Sequence, residues 1–137
     1  MITKKAEYAI IALADLATLP PGQKTTTREI VARQAIPSNL LAQLLPVIRD
    51  AGWVESTRGA GGGVALCKDP AQITLRETIE LIDGPITITR CLFQSMPCGN
   101  KPSCPLRDVW QEAQEKMLTV FEKTTVAELA ARLVAAG

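Results

Sequence analysis

The sequence predicts a mainly α-helical fold carrying one two-stranded hairpin, and three observations predict it. Two short helical patterns flank the tight break Ile36-Pro37-Ser38-Asn39, the arrangement of a helix-turn-helix. Two β-prone runs follow directly, on either side of the tip Gly59-Ala60-Gly61-Gly62-Gly63, which reads as a hairpin with a loose end. A helix-turn-helix followed by such a hairpin is a winged helix. Further on, Leu106, Trp110, Ala113, Met117 and Val120 repeat at alternating four and three residues. That is the seam of a long helix outlasting the small domain before it.

At 137 residues the chain suits one compact domain with an appended element. With 47% hydrophobic and 21% charged residues it can bury a core, which argues against disorder. A net charge of +1 makes any nucleic-acid surface a local patch, not a property of the whole chain. Lys4 and Lys5 ahead of an apolar stretch imitate a secretory leader, but Glu7 and Asp15 interrupt it. No apolar run approaches the roughly 20 residues of a bilayer span. A soluble, cytoplasmic protein with reduced thiols and no membrane partner is expected.

In chain order, Thr3 caps a first helix to about Leu19, with Tyr8, Ile11, Ala12, Leu16 and Leu19 as its buried face. Pro20-Pro21-Gly22 ends it. Thr26-Thr27-Arg28-Glu29 is a capping box opening a short helix through Gln34. Ser38 is the expected N-cap of the next helix, in which Pro46 should cause a kink or a shortening, and Gly52 the stop. The wing strands span Trp53–Arg58 and Val64–Cys67, with Cys67 a small buried or half-buried hydrophobe. A phosphate-loop reading of the glycines is weak, because no lysine–serine/threonine ending and no helix follow them. Thr74-Leu75-Arg76-Glu77 caps a helix to about Asp83, with Leu75, Ile79 and Ile82 inward. Pro105 opens the long helix at the tolerated first position. Its seam, widened by Val109 and Phe121, could pack on its own domain, but a long helix outlasting a small domain points to a partner helix, most simply that of a second subunit. Thr125-Val126-Ala127-Glu128 caps a last short helix. The expected division is a winged-helix DNA-binding domain over 1–84 and a cysteine loop with a dimerisation helix over 85–137.

The stretch before the long helix carries the chemistry. Cys91, Cys98 and Cys104 fall within fourteen residues, with six residues between the first pair and five between the second. Pro97, Gly99, Pro102 and Pro105 exclude a helix there and make a poor strand. Thiolates converging from such a loop suit iron–sulfur clusters or zinc. Zinc is the weaker fit, since its structural ligands usually pair two to four residues apart and the chain has no histidine. A disulfide with a spare thiol, or thiol switching, stays open. An electron carrier is disfavoured, having no use for a winged helix.

From Thr3 to about Leu133 the chain resembles the bacterial iron–sulfur-cluster-responsive winged-helix regulators of the IscR/NsrR type. The resemblance rests on Thr3-Lys-Lys-Ala-Glu7-Tyr-Ala, Arg58-Gly-Ala-Gly-Gly-Gly63 with Lys68-Asp69, Arg90-Cys91, Cys98, Cys104-Pro-Leu-Arg107 and Thr125-Val-Ala-Glu-Leu129. It implies a homodimer on a roughly palindromic double-stranded operator, usually as a repressor, without catalysis. It also implies one cluster per subunit, [2Fe-2S] or [4Fe-4S], held by Cys91, Cys98 and Cys104. Glu7 matches the position where the NsrR branch supplies an aspartate from the partner subunit, so it is the candidate fourth ligand. Three departures stand out. The first cysteine interval is six residues where five is common, Arg107 replaces the histidine ligand of the IscR branch, and Ala42 replaces a base-discriminating glutamate. Glu7 and the missing histidine favour nitric oxide as the signal, followed by iron–sulfur or redox status. The alternative is a thiol-oxidation or zinc-containing regulator without a cluster.

Candidate base contacts are Ser38, Asn39 and Gln43. Thr27, Arg28, Arg58 and the amides of Gly59, Gly61 and Gly62 are candidates for phosphate or minor groove, with Lys4 and Lys5 adding phosphate contacts. Leu106, Val109, Trp110, Ala113, Met117, Val120 and Phe121 are the expected dimer interface.

Overall fold

The computed structural model describes residues 2–89, Leu92 and 105–136. In chain order these form α1 (Lys4–Ala17), α2 (Thr27–Gln34), α3 (Ser38–Asp50), β1 (Val54–Thr57), β2 (Gly63–Leu66), a 3-10 turn (Pro70–Gln72), α4 (Leu75–Asp83), α5 (Pro105–Lys123) and α6 (Val126–Ala136).

Thr3 starts α1 as its residue type predicts, its Oγ1 accepting from the Ala6 amide at 3.2 Å. The helix is enclosed more completely than a one-face reading allows. Ala6, Ala9, Ala12, Leu13, Ala14, Asp15 and Leu16 are buried, whereas Tyr8, Ile11 and Leu19 sit half-buried at the rim. The reason is tertiary: α3, α4 and α6 all pack against α1. Small side chains let several helices approach at once.

The capping box of α2 forms in full, with the Glu29 amide donating to Thr26 Oγ1 at 3.1 Å and the Thr26 amide donating to Glu29 Oε1 at 3.3 Å. Ala35 then turns the chain in the left-handed region at φ 53°, and α3 begins two residues beyond Ile36. Its cap is Pro37, with no side-chain capping bond, so Ser38 is the first helical residue and not the N-cap expected for it. The Pro37 carbonyl accepts from the Leu40 and Leu41 amides, each at 3.1 Å, which starts the helix without help from a hydroxyl. Pro46 does not divide α3. Leu41 and Leu44 before it, and Ile48 after it, are all buried in the core, and that packing holds one helix across the missing hydrogen bond.

The wing pairs antiparallel, with Val54 opposite Leu66 and Thr57 opposite Gly63. A third segment joins it: the Thr25 amide donates to the Val64 carbonyl at 2.9 Å and the Val64 amide returns a bond at 2.7 Å. Two of the glycines are therefore not merely loose. A Cβ on Gly62 would stand 2.2 Å from the Thr57 carbonyl oxygen, and one on Gly63 would stand 2.6 Å from that of Thr25. Cys67 differs from its expected setting. It lies one residue past β2 and is exposed, its amide donating to the Trp53 carbonyl at 2.9 Å and its Sγ 3.2 Å from the Gly52 carbonyl.

Leu13, Ile30, Ile36, Leu41, Ile48, Ile73 and Val126 are fully buried in one cluster. Val126 brings the C-terminal segment into the same core, across the 84/85 division. The Leu75 amide donates to the Thr124 carbonyl at 2.8 Å and the Val126 amide to Ile73 at 2.9 Å, so the starts of α4 and α6 are stitched together and α6 lies back on α1. Among the described residues no helix is long and apolar enough to cross a membrane.

Candidate nucleic-acid interface and sensor elements

The helix-turn-helix is fastened to α1 by a buried polar cluster that sequence reasoning missed. Asp15 is 1% exposed and accepts from Arg33 Nε at 3.0 Å, Arg33 Nη2 at 2.7 Å and Gln34 Nε2 at 2.8 Å. Arg33 Nη2 also donates to Thr25 Oγ1 at 3.0 Å, reaching the root of the wing. The hydrogen bond to Asp15 holds the Arg33 guanidinium above its ordinary pKa, against the opposing effect of burial. One carboxylate thus fixes α1, α2 and the third wing segment together. Its trace in the sequence is Asp15 itself, one of the two charges that interrupt the apolar stretch of α1.

On this frame Thr27, Arg28, Ser38, Asn39 and Gln43 are all exposed. Because Pro37 is the cap, the Ser38 hydroxyl is left unspent on the helix start. Arg58, Gly59 and Gly61 are exposed at the wing tip, while Gly62 is half-buried and its amide donates to the Gly59 carbonyl at 3.0 Å, so that donor is used within the turn. Lys4 and Lys5 are exposed on the first turn of α1. They stand about three helical turns from Asp15 and hence from the α2 anchor.

Glu7 occupies the same first turn, exposed, with its carboxylate 3.2 Å from Lys4 Nζ. Cys91, Cys98 and Cys104 lie outside the described residues, among which no group of three His, Cys, Asp or Glu side chains is arranged to hold a metal. Most of the loop inferred from the prolines likewise falls outside them, but Leu92, which is described, is helical rather than loop, its amide donating to the Thr89 carbonyl at 3.3 Å.

The seam of α5 divides between two faces. Trp110, Met117 and Phe121 are half-buried, on the side that packs against α4. Arg76 ties that side down, its guanidinium bonded to Glu80 within α4 and to Glu122 of α5. Leu106, Val109 and Val120 are more than half exposed, at 52%, 55% and 59%, and Ala113 is exposed beside them. Their spacing of three, four and seven residues is a straight apolar stripe along the outer face.

A capped positioning helix, a second helix with exposed polar side chains and a three-segment wing define a winged helix-turn-helix regulator of transcription that binds DNA. The chain belongs to the Rrf2 family, described as an iron-dependent transcriptional regulator, whose model matches residues 2–132. It is 33% identical over 129 residues to a protein of Mycobacterium tuberculosis named as an HTH-type transcriptional regulator, covering 94% of this chain and 80% of that protein. It is 31% identical over 128 residues to IscR of Cronobacter sakazakii, covering 93% and 78%. Among solved structures it resembles CymR, the global cysteine regulator of B. subtilis, with a TM-score of 0.82 at 27% identity, covering 96% of this chain and 97% of that one. These relatives are regulators by name, a non-enzymatic role.

Proposed function

We infer that this regulator acts as a homodimer on a double-stranded operator and that its grip depends on an iron–sulfur cluster, [2Fe-2S] or [4Fe-4S], in each subunit. The observation that carries the reading is the trio Cys91, Cys98 and Cys104, set just before the long helix in a chain without histidine. The family's iron-dependent description and the likeness to IscR support it.

The donor chemistry fits. Three thiolates suit iron, and Glu7 of the partner subunit is the fourth donor. Its pairing with Lys4 is exposed on both sides, a contact of about 0–1 kcal/mol that a stronger partner can displace. A bound cluster would supply a centre that nitric oxide, oxygen or iron supply can alter, and Glu7 would hold it as a harder, weaker donor than the thiolates. Ser38, Asn39 and Gln43 read base edges. Thr27, Arg28, Arg58 and the Gly59 and Gly61 amides hold phosphate or minor groove, with Gly62 shaping that turn. Lys4 and Lys5 add phosphate contacts. The stripe Leu106, Val109, Ala113 and Val120, flanked by Trp110, Met117 and Phe121, joins the subunits. Half-sites about one helical turn apart, roughly 34–36 Å, make affinity sensitive to the spacing of the two α3 helices.

Protein purified without oxygen should be brown and contain iron and acid-labile sulfide. Glu7→Ala should change its absorption spectrum, and replacing all three cysteines by serine should remove the colour. An oxygen-free preparation devoid of both iron and sulfide refutes the reading. A second reading is favoured by the likeness to CymR, a cysteine regulator by name. In it the same fold answers to thiol chemistry, the protein is colourless, and operator binding changes on treatment with a thiol oxidant.

A further inference from the structure

Between α3 and the wing lies an open groove of about 410 Å³. Thr27 at the start of α2, Pro46 and Arg49 on α3, and Ser56 and Thr57 on β1 line it. Arg49 is half-exposed, and its guanidinium has only a loose neighbour in Asp50, Nε to Oδ1 at 3.9 Å, whose carboxylate is itself mostly in water. The hydroxyls of Thr27, Ser56 and Thr57 make no side-chain hydrogen bond among the described residues. Thr26, by contrast, is spent on its capping box. Pro46 offers no amide to the groove, and the side-chain donors left to it are one cation and three hydroxyls.

A duplex that presents its major groove to α3 and its minor groove to the wing must run one sugar–phosphate strand between them. We propose that this groove holds a phosphodiester of that strand, with Arg49 as the ion-pairing residue and Thr27, Ser56 and Thr57 as hydroxyl donors. The inference rests on the DNA face proposed above and adds to it a residue, Arg49, outside both the recognition turn and the wing tip. The contact carries no base identity, because phosphate is the same at every step. Arg49 therefore sets strength and register while Ser38, Asn39 and Gln43 set sequence.

The test uses the full-length dimer, a duplex selected by the wild-type protein from a randomised pool, and a random duplex of equal length. Binding is measured by anisotropy from about 50 to 200 mM salt. Arg49→Gln should weaken both duplexes by the same factor and make the slope of log K against log salt shallower by about 0.9, the release of one phosphate's counterions. Arg49→Lys should keep the wild-type slope. Arg49 is half in water, so neither variant should shift the urea midpoint, and a shift would mark the loss as structural and overturn the proposal. An unchanged slope for Arg49→Gln, with Arg58→Ala still reducing it, overturns the groove contact while leaving the DNA face standing. If Arg58→Ala and Asn39→Ala also bind like wild type, the DNA face itself is wrong and the groove falls with it.

Discussion

Arg33→Ala should be the most damaging single change outside the apolar core. It removes two of the three donors around Asp15, at 3.0 and 2.7 Å, and also the bond to Thr25 at 3.0 Å. Removing one partner of a buried ion pair costs about 3–5 kcal/mol, because the remaining charge is stranded. Two features set the value near the lower end. The Arg33 side chain is 36% exposed, so water can enter where it stood, and Gln34 still donates to the carboxylate at 2.8 Å. About 3 kcal/mol is expected, or roughly 10 °C in Tm for a domain of this size. Urea unfolding followed by circular dichroism checks it, with a lower midpoint at an unchanged slope. A loss under about 1 kcal/mol refutes the reasoning, because Asp15 would then not depend on its cation. The double variant Asp15→Leu, Arg33→Met should recover much of the loss by removing both charges at once. The sign of any pH effect from Arg33 follows from its raised pKa. Its contribution is fully present below the guanidinium's ordinary range and is lost only above it, so the wild-type/Arg33→Ala difference should not fall as pH rises from about 6 to 9.

Ala35→Gly should stabilise the domain by about 0.5–1 kcal/mol. The left-handed φ of 53° strains an alanine, and relief of about 1–2 kcal/mol exceeds the extra chain entropy of glycine. A lower thermal midpoint would show that the turn is held by something other than backbone preference. Val109→Lys with Val120→Lys should convert the proposed dimer to monomer in sedimentation while leaving the far-ultraviolet circular dichroism spectrum unchanged, since both side chains are more than half exposed on the single subunit. A variant that still sediments as a dimer would move the subunit contact off the outer stripe.

Local chemistry was legible from residue order. Thr3 and the Thr26–Glu29 box start their helices where the sequence places them, since a cap is decided by residues within one turn. The hairpin appears with each strand end shifted by one residue. Ser38 was misjudged because the carbonyl of Pro37 does the work a hydroxyl usually does. Pro46 does not shorten α3, because its cost is met by leucine and isoleucine contacts that only the folded core supplies. The two-faced character of α5 was invisible for a related reason. A four–three repeat identifies apolar positions but not which of them α4 already covers.

Taken alone, the amino-acid order determined the kind of protein: the helix caps, the wing, and three thiols at a spacing that suits a soft metal. All of these depend on neighbours a few residues apart, where sequence and space coincide. The folded chain decided what is joined across distance: Asp15 to Arg33, Thr25 to the wing, and Val126 to the core built by α1 and α3. Those pairings gain their strength from burial, and burial depends on every packed element together.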